Sequence, residues 1–265
     1  MFLIIGLFIL IIIILFFSFK YFVLSKISLG GTSSLNIEKQ LESKMNVVST
    51  KIVECSKNEG LKVIENISYN CGYLKLLDYE SYYGHRMAVL CSKVKEDELC
   101  YNIVPSIKLI ENEINGNLKT KIVECVNLKN YKTNDIDVKN YGLIVNSSIH
   151  GDNVFLNLYY PIIVSKDNQK LEKTDFNVNI IYPLGMFLTI AADVVGEESI
   201  KGDFSIGKYV IKNPGWIIDP RSVGTSRIYR ITNMNQDKEF WFAVEKWDML
   251  NLLFLYFLYS FFQVW

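Results

Sequence analysis

The first nineteen residues, Met1 to Phe19, carry no charged side chain. With Tyr21 to Leu24 after Lys20 they form an apolar run of about 20 residues, which as a helix at ~1.5 Å per residue matches a ~30 Å hydrocarbon layer. A segment apolar on every face is not the ordinary two-sided surface helix, and it predicts a transmembrane anchor over residues 1–24. A cleaved leader would show a basic n-region, a shorter apolar core of about 7–15 residues and small residues at the cut. Only Ser28-Leu29-Gly30 offers the last of these, so a retained signal-anchor is expected.

The sidedness signals conflict. Lys20 and Lys26 would hold the following domain in the cytoplasm by the positive-inside rule, but long domains translocate largely regardless of such charges. Five cysteines in a disulfide-like pattern point outward. So do two glycosylation sequons, Asn66-Ile67-Ser68 and Asn146-Ser147-Ser148. The domain is therefore placed outside the cell membrane. A second membrane question arises at 249–265 (MLNLLFLYFLYSFFQVW), which is uncharged and rich in Leu, Phe and Tyr. Three readings stay open: a second transmembrane helix, a helix lying in the interface or packed on the domain or a second subunit, and an altered reading frame.

Between the hydrophobic ends lie about 220 residues, enough for one well-cored domain or two small ones. Residues 25–33, with Gly30-Gly31-Thr32-Ser33, read as a linker. The body is then 34–248, with a helical part, 34–130, and a β-rich part, 131–248. Apolar residues at Ile37, Leu41, Met45, Val48 and Ile52 recur at helical spacing and predict an amphipathic helix to about Cys55. Pro105 opens a second helix, with Ile107, Ile110, Ile114, Leu118 and Ile122 on one side before Cys125. After Asn130 the period changes to alternation, and strands are expected over 141–150, 154–164 and 171–182. A helix from Pro183 to Val195 follows, then shorter strands near 205–211, 226–232 and 240–244. The expected fold class is α+β: amphipathic helices packed on an antiparallel β-meander, closed by a small β-rich region.

Both helices end in the same pentapeptide, Lys51-Ile52-Val53-Glu54-Cys55 and Lys121-Ile122-Val123-Glu124-Cys125. Each cysteine lies three residues after a core-facing isoleucine, so helices packed through those faces bring the sulfurs together. A Cys55–Cys125 bridge is expected. Cys91 and Cys100 bracket a short charged loop and form the natural second pair. Cys71 is left over, either free or paired with another chain.

Chemistry is mostly absent from the sequence. Positive and negative residues balance at 28 each, which gives no field to gather nucleic acid. There is no Cys-X-X-Cys, His-Glu-X-X-His, nucleophile elbow or phosphate loop. His85 and His150 stand 65 positions apart with no carboxylate motif beside either. No catalytic residue, metal, cofactor or small-molecule substrate is inferred, and an enzyme is not expected. One stretch, Asp78 to Arg86, is a polar loop whose Tyr79, Tyr82, Tyr83 and Arg86 suit protein contacts. Packing of those rings onto the domain is the plainer reading. Trp216, between Pro214 and Pro220, reads as loop packing.

Several features together resemble an uncharacterised family of membrane-anchored surface proteins of small-genome, host-dependent archaea. They are Cys55 and Cys125 at helix ends, Gly72-Tyr73-Leu74, Val104-Pro105-Ser106, the strands from Tyr141 to Tyr182, Leu184-Gly185, Ala191-Ala192, Ile228 to Thr232 and Phe240 to Val244. The chain departs from that pattern in Cys71, where a second glycine is usual, in Cys91 and Cys100, and in the apolar tail after Asp248. The resemblance implies a surface location and no known activity. The combined expectation is a membrane-anchored extracytoplasmic protein, structural or making cell-surface contacts, with a protein partner or a second copy of itself. The alternatives are an accessory subunit or enzyme of a membrane complex and, as a minor reading, a pilin-like filament component.

Overall fold

The computed structural model describes residues 2–76, 79–93, 99–234 and 237–246, with side chains described at 12–20 and from 35 onward. In chain order the elements are α1 (Phe2–Tyr69), β1 (Tyr79–Tyr82), β2 (His85–Ser92), β3 (Tyr101–Asn102), α2 (Ile107–Val126), β4 (Asp137–Asn140), β5 (Ile144–Ile149), β6 (Asn153–Lys166) and β7 (Gln169–Ile181). Then come α3 (Leu184–Lys201), α4 (Ile206–Lys212), β8 (Trp216–Val223), β9 (Ser226–Asn233) and β10 (Lys238–Glu245). The fold is α+β with one antiparallel and one mixed sheet. Two compact units form, and α1, β6 and β7 supply residues to both.

The first unit comprises 1–51, 127–142 and 160–174. Leu41, Met45 and Val48 of α1 are buried, at the helical spacing expected of them. Strand β4 pairs antiparallel with β6, Val138 opposite Val164 and Asn140 opposite Ile162. Lys166 donates to the Gln40 side chain at 2.8 Å, and Lys132 pairs with Asp137 at 2.9 Å.

The second unit comprises, among the described residues, 52–76, 79–93, 99–126, 143–159, 175–234 and 237–246. In it α1 continues past Cys55, the expected end, to Tyr69 because its core stripe continues through Val63, Ile64 and Ile67. Gly60 lets the helix close on the meander: a β-carbon there would stand 2.6 Å from Ile180 and 3.0 Å from Leu156. On α2, Ile110, Ile114, Leu118 and Ile122 are buried as their spacing predicts, whereas Ile107 in the first turn is exposed. The bridge Cys55–Cys125 ties these two helices, with Cα atoms 5.8 Å apart.

Strand β5 pairs antiparallel with β6 from Ile144–Tyr159 to Ile149–Val154. Its outer edge faces α2, whose polar side chains occupy the strand's outward groups. Ser147 N donates to Asn115 Oδ1 at 2.7 Å, and Ile149 N to Glu111 Oε1 at 3.0 Å. An edge whose N–H groups are spent in this way is closed to another chain. Helix α3 seats on the β5–β6 turn through Gly185, where a β-carbon would fall 2.2 Å from the His150 carbonyl oxygen. The mixed sheet runs β1-β2-β10-β9-β8, with β3 also on β2. Phe187 of α3 stacks on Phe240 at 5.4 Å and meets Trp216 edge-on at 5.5 Å.

Several expectations are corrected. Residues 25–33 are helical within α1 rather than a linker; extending a helix is far cheaper than nucleating a new one, so two glycines do not break it. The expected strand at 205–211 is helix α4, opened by Ser205. Trp216 lies in strand β8, not a loop, with Pro220 tolerated because β8 is an edge strand. The expected helical part, 34–130, also holds β1 to β3, whose β2 joins β10 in parallel. Among the described residues no helix is long and apolar enough to cross a membrane. Much of the 1–24 run lies outside the described side chains, and the 249–265 tail lies outside the described residues.

Candidate functional site

In the stretch expected to be a polar loop, Tyr79 to Arg86 form a β-hairpin, and Asp78 lies outside the described residues. Tyr82 pairs with His85 and Tyr79 with Ala88. Tyr83 and Gly84 make the two-residue turn with φ of 47° and 83°. Two positive φ values in a two-residue turn match the twist of the flanking strands. They also aim the Tyr83 ring outward, and it is 87% exposed.

Pairing divides the hairpin into two faces. On one, the Arg86 guanidinium lies 4.9 Å over the Tyr79 ring. On the other, Tyr82 stands beside His85, and His85 reaches the neighbouring strand β10. His85 stacks on Trp241 with centroids 5.2 Å apart and planes 9° apart, and the Tyr69 ring stands 6.1 Å from it. Arg230 sits 5.4 Å from the Trp241 centroid, and its guanidinium donates to Glu239. Trp241 Nε1 donates to the other Glu239 oxygen at 2.9 Å. Burial alone would raise the Glu239 carboxyl, but these hydrogen bonds and the charges of Arg230 and His85 outweigh it and hold the group below its ordinary value. Within the hairpin Tyr79 and Arg86 pack on each other, and Tyr82 holds its ring 4.5 Å edge-on to Tyr83. Tyr83 alone presents most of its surface to solvent.

Cys71 anchors the base of this region, and the sequence offered no role for it. It follows α1 in a Schellman cap, where Gly72 N donates to Ile67 O at 2.8 Å and Cys71 N to Ser68 O at 3.1 Å. That cap needs a left-handed residue at Cys71, whose φ is 59°. The thiol is fully buried and unbonded to sulfur. It accepts from Ala88 N at 3.2 Å and donates to Trp241 O. A side chain therefore joins a donor on β2 to an acceptor on β10, beside the short parallel pairing of those strands at Ala243–Val89. Burial pushes the thiol up to about 12, so it stays neutral and unreactive in the folded state. Of the two readings left for Cys71, the free one holds within the chain.

Cys91 and Cys100 are bonded, with Cα atoms 5.1 Å apart, and fasten the start of β3 to β2. The sequons differ. Asn66, on α1, donates its amide to Leu74 O at 3.3 Å, and its partner Ser68 is buried. Asn146, on β5, is exposed opposite Asn157.

His150 shares a 3.0 Å hydrogen bond with Ser148 Oγ and meets Phe155 edge-on. His85 is held by stacking. A cleft of about 380 Å³ is lined by Asn102, Pro105, Ser106, Leu188, Thr189 and Asp193. Its polar groups serve local structure: Ser106 Oγ caps Leu109 N at 3.3 Å, Asn102 Oδ1 accepts from Val104 N, and Thr189 Oγ1 donates to Gly185 O at 2.8 Å. Buried Glu198 accepts from Arg227 at 2.5 Å and from the Tyr229 hydroxyl, which pins α3 to β9. Desolvation first, then the Glu198 contact, raises that phenol. Among the described residues no cluster of His, Cys, Asp and Glu could hold a metal ion. Comparisons of the chain with protein-family models, curated proteins and solved structures find no match.

Proposed function

We propose that the chain is a membrane-anchored extracytoplasmic protein whose tyrosine hairpin makes contact with a protein partner or with a second copy. The two bonded cysteine pairs carry this reading, because such bonds persist in oxidising compartments and are rare in the cytosol. The N-terminal run supports the anchor: Ile12 to Phe17 and Phe19, on all sides of α1, are each 50–70% exposed, and a helix apolar all round suits lipid or another helix. The resemblance to surface proteins of host-dependent archaea agrees with this placement. The contact role rests on Tyr83, a rigid amphipathic ring displayed at a hairpin tip beside a pinned aromatic cluster.

Peptide mapping without reductant tests the placement, on protein from native membranes with thiols alkylated before denaturation. Cys55–Cys125 and Cys91–Cys100 peptides with Cys71 alkylated only after unfolding are expected. Alkylation of all five cysteines would place the domain in the cytoplasm. A photo-reactive residue at position 83 tests the contact: a discrete adduct in native membranes is expected there and not at Lys170, and equal or absent adducts at both sites would defeat it.

A further inference from the structure

We propose that Asn146 carries an N-linked glycan whose first sugar is seated by Phe155 and Tyr159, and that Asn66 carries none. The inference rests on the extracytoplasmic placement argued above.

The pairing of β5 with β6 sets three cross-strand pairs on one open face: Ile144 with Tyr159, Asn146 with Asn157, and Ser148 with Phe155. Their neighbours Val145, Leu156 and Leu158 point to the buried side. Asn146 therefore stands at the centre of the face, with an aromatic ring diagonally on either side, at the ~7–8 Å spacing of such neighbours. Ile144, Tyr159 and Phe155 are 55%, 47% and 38% exposed. None of the six residues is charged, although 21% of the chain is. An open face with no charge and two half-exposed rings is poorly suited to water. It is well suited to a neutral pyranose, whose C–H face covers aromatic surface while its hydroxyls stay wet.

The two sequons differ in what a sugar would displace. The Asn66 amide is spent on Leu74 O, at the point where the chain leaves α1, and Ser68 is 1% exposed. A glycan there would crowd the helix cap. The Asn146 side chain is exposed; within its sequon Ser147 is held on the buried side by Asn115 and Glu111, and the Ser148 hydroxyl shares a hydrogen bond with His150. Because transferases read that hydroxyl, attachment precedes closure of the β5–β6 turn. In the transfer, Asn146 Nδ2 forms a bond to C1 of the reducing-end sugar of a lipid-linked oligosaccharide. The C1–O bond to the lipid phosphate breaks with its electron pair on the phosphate. Nδ2 gives one proton to a base of the membrane transferase and keeps the other, with no redox change.

The test is mass mapping of peptides from the full chain extracted from native membranes, scored together with cysteine state. Sugar mass increments on the Asn146 peptide and an unmodified Asn66 peptide are expected. An unmodified Asn146 in protein with Cys55 bonded to Cys125 overturns this inference and leaves the placement standing. An unmodified Asn146 with all cysteines as thiols overturns both. Modification of Asn66 overturns the selection between sequons. The seat is tested by removing the glycan with Asn146→Gln in two backgrounds. Tm should fall by about 2 to 4 °C in the parent and not in Phe155→Ser/Tyr159→Ser; an equal fall in both would overturn the seating of the sugar.

Discussion

The two sheets are held together by different means. The meander of β5, β6 and β7 joins neighbours in sequence through short turns, and its exposed and buried residues alternate along each strand. The mixed sheet joins β2 to β10, about 150 residues apart, through a short parallel pairing with a register shift between Ala243 and Val244. Its joint is filled by a thiol rather than by more ladder. The meander region takes its long-range order from outside the sheet, from Cys55–Cys125 and from α2 capping the edge of β5. Where pairing is local, register follows from turn and pattern. Where it is distant, each closing contact must be supplied by a particular side chain.

Four measurements would break or sharpen this contrast. The largest effect is expected from the staples. Replacing Cys55 and Cys125 by alanine should cost about 4 kcal/mol, because the closed loop is 70 residues, while replacing Cys91 and Cys100, which close nine, should cost about 2.5 kcal/mol. Urea denaturation of the two variants checks the order, and a reversal would mean that the unfolded chain does not set the difference. Next comes Gly185→Ala, which places a β-carbon against the His150 carbonyl and should cost about 3 kcal/mol. An unchanged Tm would show that α3 does not need the β5–β6 turn.

At the joint of the mixed sheet, Cys71→Ala leaves Ala88 N and Trp241 O without their shared partner and should cost about 2 kcal/mol. Cys71→Ser keeps a donor and acceptor there and should recover much of that loss. Equal destabilisation by both variants would mean that the sulfur's bulk matters and its hydrogen bonds do not. The smallest effect concerns Glu239. Its carboxyl is held below the ordinary 4.5 in the folded state, so its contribution is complete above 4.5 and is lost as pH falls through the folded value. Glu239→Gln should flatten the acid limb of stability against pH below 4.5, and an unchanged limb would exclude Glu239 as its source.

Much of the meander and its helices was legible because the signals were local. The alternation in Phe176-Asn177-Val178-Asn179-Ile180 marks β7 with one wet face, and the repeated pentapeptides pointed to Cys55–Cys125. The mixed sheet was hidden because Met87 to Cys91 of β2 are buried on both faces and show no alternation. Ile206 to Lys212 mixes branched residues with glycine and lysine, so propensity did not separate a short helix from a strand. Of the candidate site, its tyrosines and Arg86 were visible, while Trp241, Arg230 and Glu239 lay some 150 positions away and were missed.

By itself, then, the sequence settled the α+β class, the periodic faces of α1 and α2, the strands of the meander and the cysteine pairs, since each depends on spacing within a few residues or on thiols carried to the ends of packed helices. Tertiary structure decided the rest: that β2 lies beside β10, that Cys71 fills the gap between them, that Tyr83 points outward while His85 stacks on Trp241, and that Asn146 is open where Asn66 is engaged. These depend on which distant segments share one place, and no local period encodes that.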